Sequence, residues 1–101
     1  MFRATPIQTI RATTLKLEGN LSGPWVDDLR QCWTKLVEQH MPIEVDLRGL
    51  SFLDSNGTAL LLCMEREGSR LFGSSAFIHD LLHTEALVRT TRPRTSSNKE
   101  N

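Results

Sequence analysis

The sequence predicts a single α/β domain with a mixed sheet of about four strands, an N-terminal hairpin and three or more helices. Two observations lead to this prediction. The chain has 101 residues, of which 39% are hydrophobic and 24% charged, a size and composition that suit one globular core. Segments with strand-like alternation of apolar residues are also interspersed with segments of helical spacing, in the order strand, strand, helix, strand, helix, strand, helix. This order favours right-handed crossovers between the later strands.

The first three elements are two strands and a helix. Residues 7–10 and 13–19 are rich in β-branched residues and predict the two strands of a hairpin. Turn residues follow, and Pro24 suits the first turn of a helix. The apolar residues of this helix recur at helical spacing: Trp25, Leu29, Cys32, Trp33 and Leu36. We expect the helix to end near His40, because Pro42 disfavours helical backbone before it.

The middle of the chain predicts a strand that leads into a second helix. Residues 43–48 alternate between apolar and charged side chains, as a strand does when only one face is protected. A short apolar stretch, residues 50–53, comes next. We expect a compact helix from Thr58 to about Glu67, ended by Gly68.

The last elements are a short strand and a helix. Leu71 and Phe72 predict the fourth strand, and residues 76–88 carry apolar side chains at helical spacing. From residue 89 onward the chain has no aliphatic side chain and is too polar to offset the entropy cost of ordering it. We therefore expect one domain over residues 1–88 and a disordered tail over residues 89–101.

Charge and composition exclude several classes of function. Twelve Lys plus Arg balance twelve Asp plus Glu, so no overall field draws the chain to nucleic acid or to an anionic membrane. The longest apolar run, residues 59–64, is far shorter than the ~20 residues that cross a bilayer. Cys32 and Cys63 lack metal-ligand spacing and follow no secretory leader, which indicates buried thiols in a reducing compartment. We expect a cytoplasmic protein without membrane insertion and without a nucleic-acid partner.

The segment Asp54-Ser55-Asn56-Gly57 is the most informative part of the chain. Asp, Ser and Asn all cap helix N-termini and Gly allows a tight turn, so capping alone would explain these residues. The functional alternative starts from the Ser55 hydroxyl, which lies where free N–H groups and the helix dipole favour negative charge. A phosphate there would add about −1.5 to −2 charges and would repel a partner surface packed against it.

The residues around this segment resemble a known family. The run Leu17-Glu18-Gly19-Asn20-Leu21, and the strand pattern of residues 43–53 that ends in Asp54-Ser55-Asn56-Gly57, look like the STAS domain of sulfate transporters and bacterial anti-sigma factor antagonists. The resemblance covers about residues 7–88. Its most specific part is the aspartate, serine, small residue and glycine after the strand. It implies a STAS-like fold.

The resemblance also implies a function. In the antagonists, the serine directly after that aspartate is phosphorylated by an anti-sigma factor with serine kinase activity, and Ser55 occupies that place here. We therefore expect a non-enzymatic protein, without catalytic residues, cofactor or metal, that binds this kinase and is switched off by phosphorylation of Ser55. It is expected to be a monomer or a weak dimer. The implied partner-binding residues are Asn20, Ser22, Asp54, Ser55, Asn56, Gly57 and Thr58.

Two positions depart from the antagonist pattern and motivate a second hypothesis. Ser22 stands where the antagonists usually have an aspartate, and Asn56 stands where serine or threonine is common. Other stand-alone STAS proteins are accessory subunits, so the alternative function is a subunit that binds the ATPase of a bacterial ABC lipid-transport complex. The stretch between Leu71 and Phe77 is also shorter than usual for the family.

Three further patterns favour ordinary structural roles. His79 and His83 have a metal-compatible spacing on a predicted helix, but with no third ligand evident two polar helix positions explain them better. Trp25 and Trp33 fall on one side of the first helix, as core or interface-edge residues do. The absence of a G-x-S-x-G turn argues against a serine hydrolase.

Overall fold

A computed structural model of the chain describes residues 1–84 and contains a four-stranded mixed sheet. The strand order is β1-β2-β3-β4, with β1 antiparallel to β2 and the other two pairs parallel. The elements are β1 (Phe2–Gln8), β2 (Thr13–Leu21), α1 (Trp25–Val37), β3 (Ile43–Leu53), α2 (Ser55–Arg66), β4 (Arg70–Phe72) and α3, which begins at residue 76 and is described through residue 84. The predicted α/β class, hairpin and element order are confirmed. Residues 85–88 of the predicted domain and the predicted tail, 89–101, lie outside the described residues.

The N-terminal hairpin is present, but its first strand lies earlier than predicted. The strand expected over residues 7–10 is instead Phe2–Gln8, which pairs with β2 from Phe2↔Gly19 to Gln8↔Thr13. Thr9 explains the difference, because its hydroxyl oxygen accepts hydrogen bonds from the backbone N–H groups of Arg11 and Ala12 and so builds the turn. The β-branched Ile10 is therefore a turn residue and is 99% exposed.

The core lies on one face of the sheet. Leu15 pairs with Val45, and both are fully buried. Leu29 of α1 and Leu61 of α2 belong to the same apolar cluster, so the helices cover this face. Ile78 of α3 is also fully buried in it. Charged side chains from alternate strand positions occupy the other face and include Lys16, Glu44, Arg48 and Arg70.

Three further element bounds differ from the predicted ones. The apolar stretch 50–53 belongs to β3, which runs unbroken to Leu53. Helix α2 begins at Ser55, three residues before the expected Thr58, because the Asp54 side chain accepts a hydrogen bond from the backbone N–H of Gly57 and caps the helix. Helix α1 ends at Val37, three residues before the expected His40, because the N–H groups of Gln39 and His40 form turn hydrogen bonds to carbonyl oxygens only three residues earlier. None of the helices described within residues 1–84 is both long and apolar enough to cross a membrane.

Candidate functional site

The sheet topology brings two turns together at one edge. Strands β2 and β3 are parallel, and their last residues, Leu21 and Leu53, are register partners. The turns that follow them therefore leave the sheet side by side. The backbone N–H of Asp54 donates to the carbonyl oxygen of Leu21 at 3.2 Å, which joins the two turns directly. We refer to residues 20–23 and 54–58 together as the Ser55 edge.

The Asp54 carboxylate holds the two turns of the Ser55 edge in place. One oxygen, Oδ1, accepts from the backbone N–H of Gly57 at 2.7 Å and caps α2. The other, Oδ2, accepts from the backbone N–H of Gly23 at 2.9 Å, across to the turn before α1. Hydrogen bonds with a charged acceptor are stronger than those between neutral groups. Asp54 is therefore a structural clamp between the two turns.

Gly57 and Thr58 lie beneath the surface of the Ser55 edge. A Cβ atom on Gly57 would stand 2.5 Å from the carbonyl oxygen of Leu21, so only glycine allows this approach of the two turns. The Thr58 hydroxyl donates to the carbonyl oxygen of Asp54 at 2.9 Å, and its side chain is buried. These two residues, which the sequence analysis placed in the partner-binding set, shape the turn from within.

The remaining residues of the predicted site face outward. Asn20, Ser55 and Asn56 are exposed, and Ser22 is half-buried. Ser55 is the first residue of α2, where backbone N–H groups have no partner one turn earlier in the helix. The Ser55 hydroxyl forms no hydrogen bond with a protein group within residues 1–84. An anion attached to this hydroxyl would therefore meet solvent on one side and the positive end of a helix dipole on the other.

Sequence reasoning missed Gly23 and the charged cluster on the open face of the sheet. The N–H group of Gly23 forms half of the Asp54 clamp, and no local pattern identifies a partner 31 positions away. On the open face, the buried Asp46 carboxylate accepts from the Arg48 side chain at 2.8 Å and from its backbone N–H at 3.0 Å. The side-chain hydrogen bond from Arg48 is the main reason that the pKa of Asp46 lies below its ordinary value.

The tryptophan and histidine pairs singled out in the sequence lie in ordinary packing contacts. Trp33 is half-buried, and its Nε1–H donates to the Ser69 hydroxyl at 2.9 Å. Trp25 is 38% exposed and packs beside Phe2, with ring centroids 6.5 Å apart. The rings of His79 and His83 are nearly parallel, with centroids 6.2 Å apart. Within the described part of the chain, no group of three or more His, Cys, Asp or Glu side chains is arranged to hold a metal ion.

The chain is thus a small α/β domain in which the β2–α1 turn is joined to the N-terminus of α2. A family model described as "Mlab, STAS domain" matches residues 7–92, and the chain therefore belongs to the STAS domain family. Among solved structures, the chain is similar to the anti-sigma factor antagonist SpoIIAA in its unphosphorylated form, with a TM-score of 0.69 and 22% sequence identity. That match covers 84% of this chain and 82% of SpoIIAA, and it shows that the two share a fold. No curated protein matches the chain.

Proposed function

We propose that the protein is a non-enzymatic regulator that binds an anti-sigma factor with serine kinase activity and is released when Ser55 is phosphorylated. The unmodified protein holds the anti-sigma factor and so frees the sigma factor. The kinase transfers the γ-phosphoryl group of ATP to Ser55 Oγ, which yields phosphoserine and ADP and releases the hydroxyl proton. A separate phosphatase then resets the protein.

The observation that carries this proposal is the exposed hydroxyl of Ser55 at the N-terminus of α2. The clamp beside it does not cover it, because the Asp54 carboxylate is turned to the N–H groups of Gly23 and Gly57. The helix dipole favours an anion at this end, so a phosphate would leave the fold intact. The fold shared with the anti-sigma factor antagonist SpoIIAA in its unphosphorylated form supports the same function.

The release of the partner follows from the charge of the phosphate. Phosphorylation adds about −1.5 to −2 charges at pH 7 to the surface that faces the partner. A buried charge without a counter-ion costs several kcal/mol. A loss of about 3 kcal/mol of binding free energy weakens affinity more than a hundredfold, so one phosphate is sufficient to end the complex.

Phosphate transfer tests the proposal directly. The purified protein is incubated with ATP and the anti-sigma factor kinase of the same organism, and intact mass reports phosphorylation. We expect the wild-type protein and a Ser51→Ala variant to gain one phosphate, since Ser51 is an exposed serine on β3 near the site. Ser55→Ala is expected to gain none. Transfer to Ser55→Ala at the wild-type rate, or no transfer and no complex with wild type, would refute the proposal.

A second candidate function is a constitutive subunit that binds the ATPase of a bacterial ABC lipid-transport complex. Ser22 and Asn56 favour it, because both depart from the antagonist pattern at the Ser55 edge. The matching family model is described as "Mlab, STAS domain" and not as an anti-sigma factor antagonist. Co-purification separates the two functions. An ATPase that stays bound after incubation with ATP and the kinase supports the subunit, and a kinase that is released supports the switch.

A further inference from the structure

Two phenylalanine side chains form an exposed aromatic pair next to the Ser55 edge. Phe52 on β3 is 41% exposed, and Phe77 in the first turn of α3 is 53% exposed. Their ring centroids are 6.4 Å apart and their planes differ by 27°. A single exposed apolar side chain is ordinary on a protein surface, whereas adjacent aromatic rings form a continuous apolar patch.

The aromatic pair is continuous with the Ser55 edge. Phe52 is the register partner of Asn20, which belongs to that edge, and it precedes Ser55 by three residues. Phe77 reaches Phe52 from the first turn of α3. The Ser75 hydroxyl accepts from the N–H of Ile78 at 3.2 Å and so orients the first turn of α3. Through the pairing of Phe52 with Asn20, the patch borders the Ser55 edge.

The chain segments that form the aromatic pair and the Ser55 edge contain few charged residues. Three runs that include them contain no Asp, Glu, Lys or Arg: residues 19–26, 49–53 together with 55–64, and 71–78, although 24% of the chain is charged. Arg48 lies beside the third run, with its guanidinium carbon 5.8 Å from the centroid of the Phe72 ring. Asp54 interrupts the second run, and its carboxylate is engaged by two backbone N–H groups. Nucleic acid and anionic lipid headgroups bind through Lys and Arg, which these runs lack. An aromatic centre with few charges is typical of the core of a protein–protein interface.

We propose that Phe52 and Phe77 are the apolar anchor through which the Ser55 edge binds its protein partner, which presents an uncharged apolar pocket to the two rings. This inference rests on the proposed function, because it assigns the part of the surface that provides affinity. Phosphorylation of Ser55 then regulates whether the partner stays bound. The residues of the Ser55 edge include no Lys or Arg, so docking of the rings would bring a phosphate on Ser55 against the partner without a cation from this edge to pair with it.

The test measures partner affinity for Phe77→Ala and Phe52→Ala. The probes are the purified anti-sigma factor kinase and the purified ABC ATPase of the same organism, and Ile10→Ala is the matched control because Ile10 is 99% exposed in the β1–β2 turn. With the partner that binds wild type, we expect the Phe77 and Phe52 variants to bind at least tenfold more weakly, and Ile10→Ala within twofold. Thermal melting of each variant checks the fold. If Phe52→Ala is unstable, the affinity of Phe77→Ala alone tests the inference, because Phe77 is the more exposed ring.

The alternative outcomes are distinguishable. Equal affinities for wild type and both phenylalanine variants would overturn this inference and leave the proposed function standing. If wild type binds neither probe, the proposed function and the inference both fail. A wild-type homodimer that dissociates in Phe77→Ala, with partner affinity unchanged, would assign the aromatic pair to a second copy of the chain and would also overturn the inference.

Discussion

Removal of the Asp54 carboxylate is expected to destabilise the protein by disconnecting the two turns of the Ser55 edge. Asp54→Ala deletes the acceptor of two backbone N–H groups, those of Gly57 at 2.7 Å and Gly23 at 2.9 Å. A lost N-cap costs about 1 kcal/mol, and a second hydrogen bond to a charged acceptor about 1.5 kcal/mol. The sum is about 2–3 kcal/mol of unfolding free energy, which lowers Tm by about 10–20 °C in a domain of this size.

Urea denaturation with a constant m-value measures this loss. Asp54→Asn keeps one acceptor oxygen, so we expect about half of the effect. Asp27→Ala is the control, because Asp27 is an exposed acidic residue in the first turn of α1, and we expect it to cost less than about 1 kcal/mol. Amide hydrogen exchange at Gly23 should accelerate in Asp54→Ala. A change below about 1 kcal/mol, with exchange at Gly23 unaltered, would refute the clamp.

Three further predictions concern stability. The folded-state pKa of Asp46 is lowered chiefly by its hydrogen bond from Arg48, so this stabilisation is present above the ordinary carboxyl pKa and is lost as pH falls through the lowered value. Urea midpoints between pH 6 and pH 2 should therefore fall less in Arg48→Gln than in wild type, and parallel curves would contradict this. His40 has a φ of 60°, so His40→Gly should stabilise the protein by about 1 kcal/mol in urea denaturation, and a loss of stability would contradict the strain. Gly57→Ala places a Cβ 2.5 Å from the carbonyl oxygen of Leu21 and should lower the unfolding free energy by about 1–3 kcal/mol, whereas wild-type stability would show that the turn adapts freely.

The element order was predictable because apolar periodicity reflects which face of each element is buried. The first strand shows the limit of that signal. Ile7 and Ile10 have high β-propensity, yet Ile7 is 47% exposed and Ile10 lies in the turn. The inward residue that fixes this strand is Phe2, which packs beside Trp25 of α1. Contact with another element decided the register, and a local pattern does not contain that contact.

The candidate site was predictable in its position and less so in its construction. Capping chemistry identified Asp54 as a helix-start residue, but its second partner, Gly23, depends on two parallel strands ending together. The distinction between the buried Thr58 and the exposed Asn56 likewise depends on the direction of α2 relative to the sheet. The sequence placed Phe52 in an apolar stretch and did not indicate that its side chain is exposed. This exposure follows from the position of Phe52 near the end of β3, against α3.

The affinity of the partner for the unmodified and the Ser55-phosphorylated protein tests the central proposal most directly. Titration calorimetry with the purified anti-sigma factor kinase gives both dissociation constants, and Ser55→Asp provides a second measurement. We predict that phosphorylation weakens the complex at least a hundredfold, that Ser55→Asp weakens it in the same direction, and that Tm stays within a few degrees of wild type, because the added charge faces a helix N-terminus. Equal affinities for the two forms, or unfolding on addition of the phosphate, would contradict it.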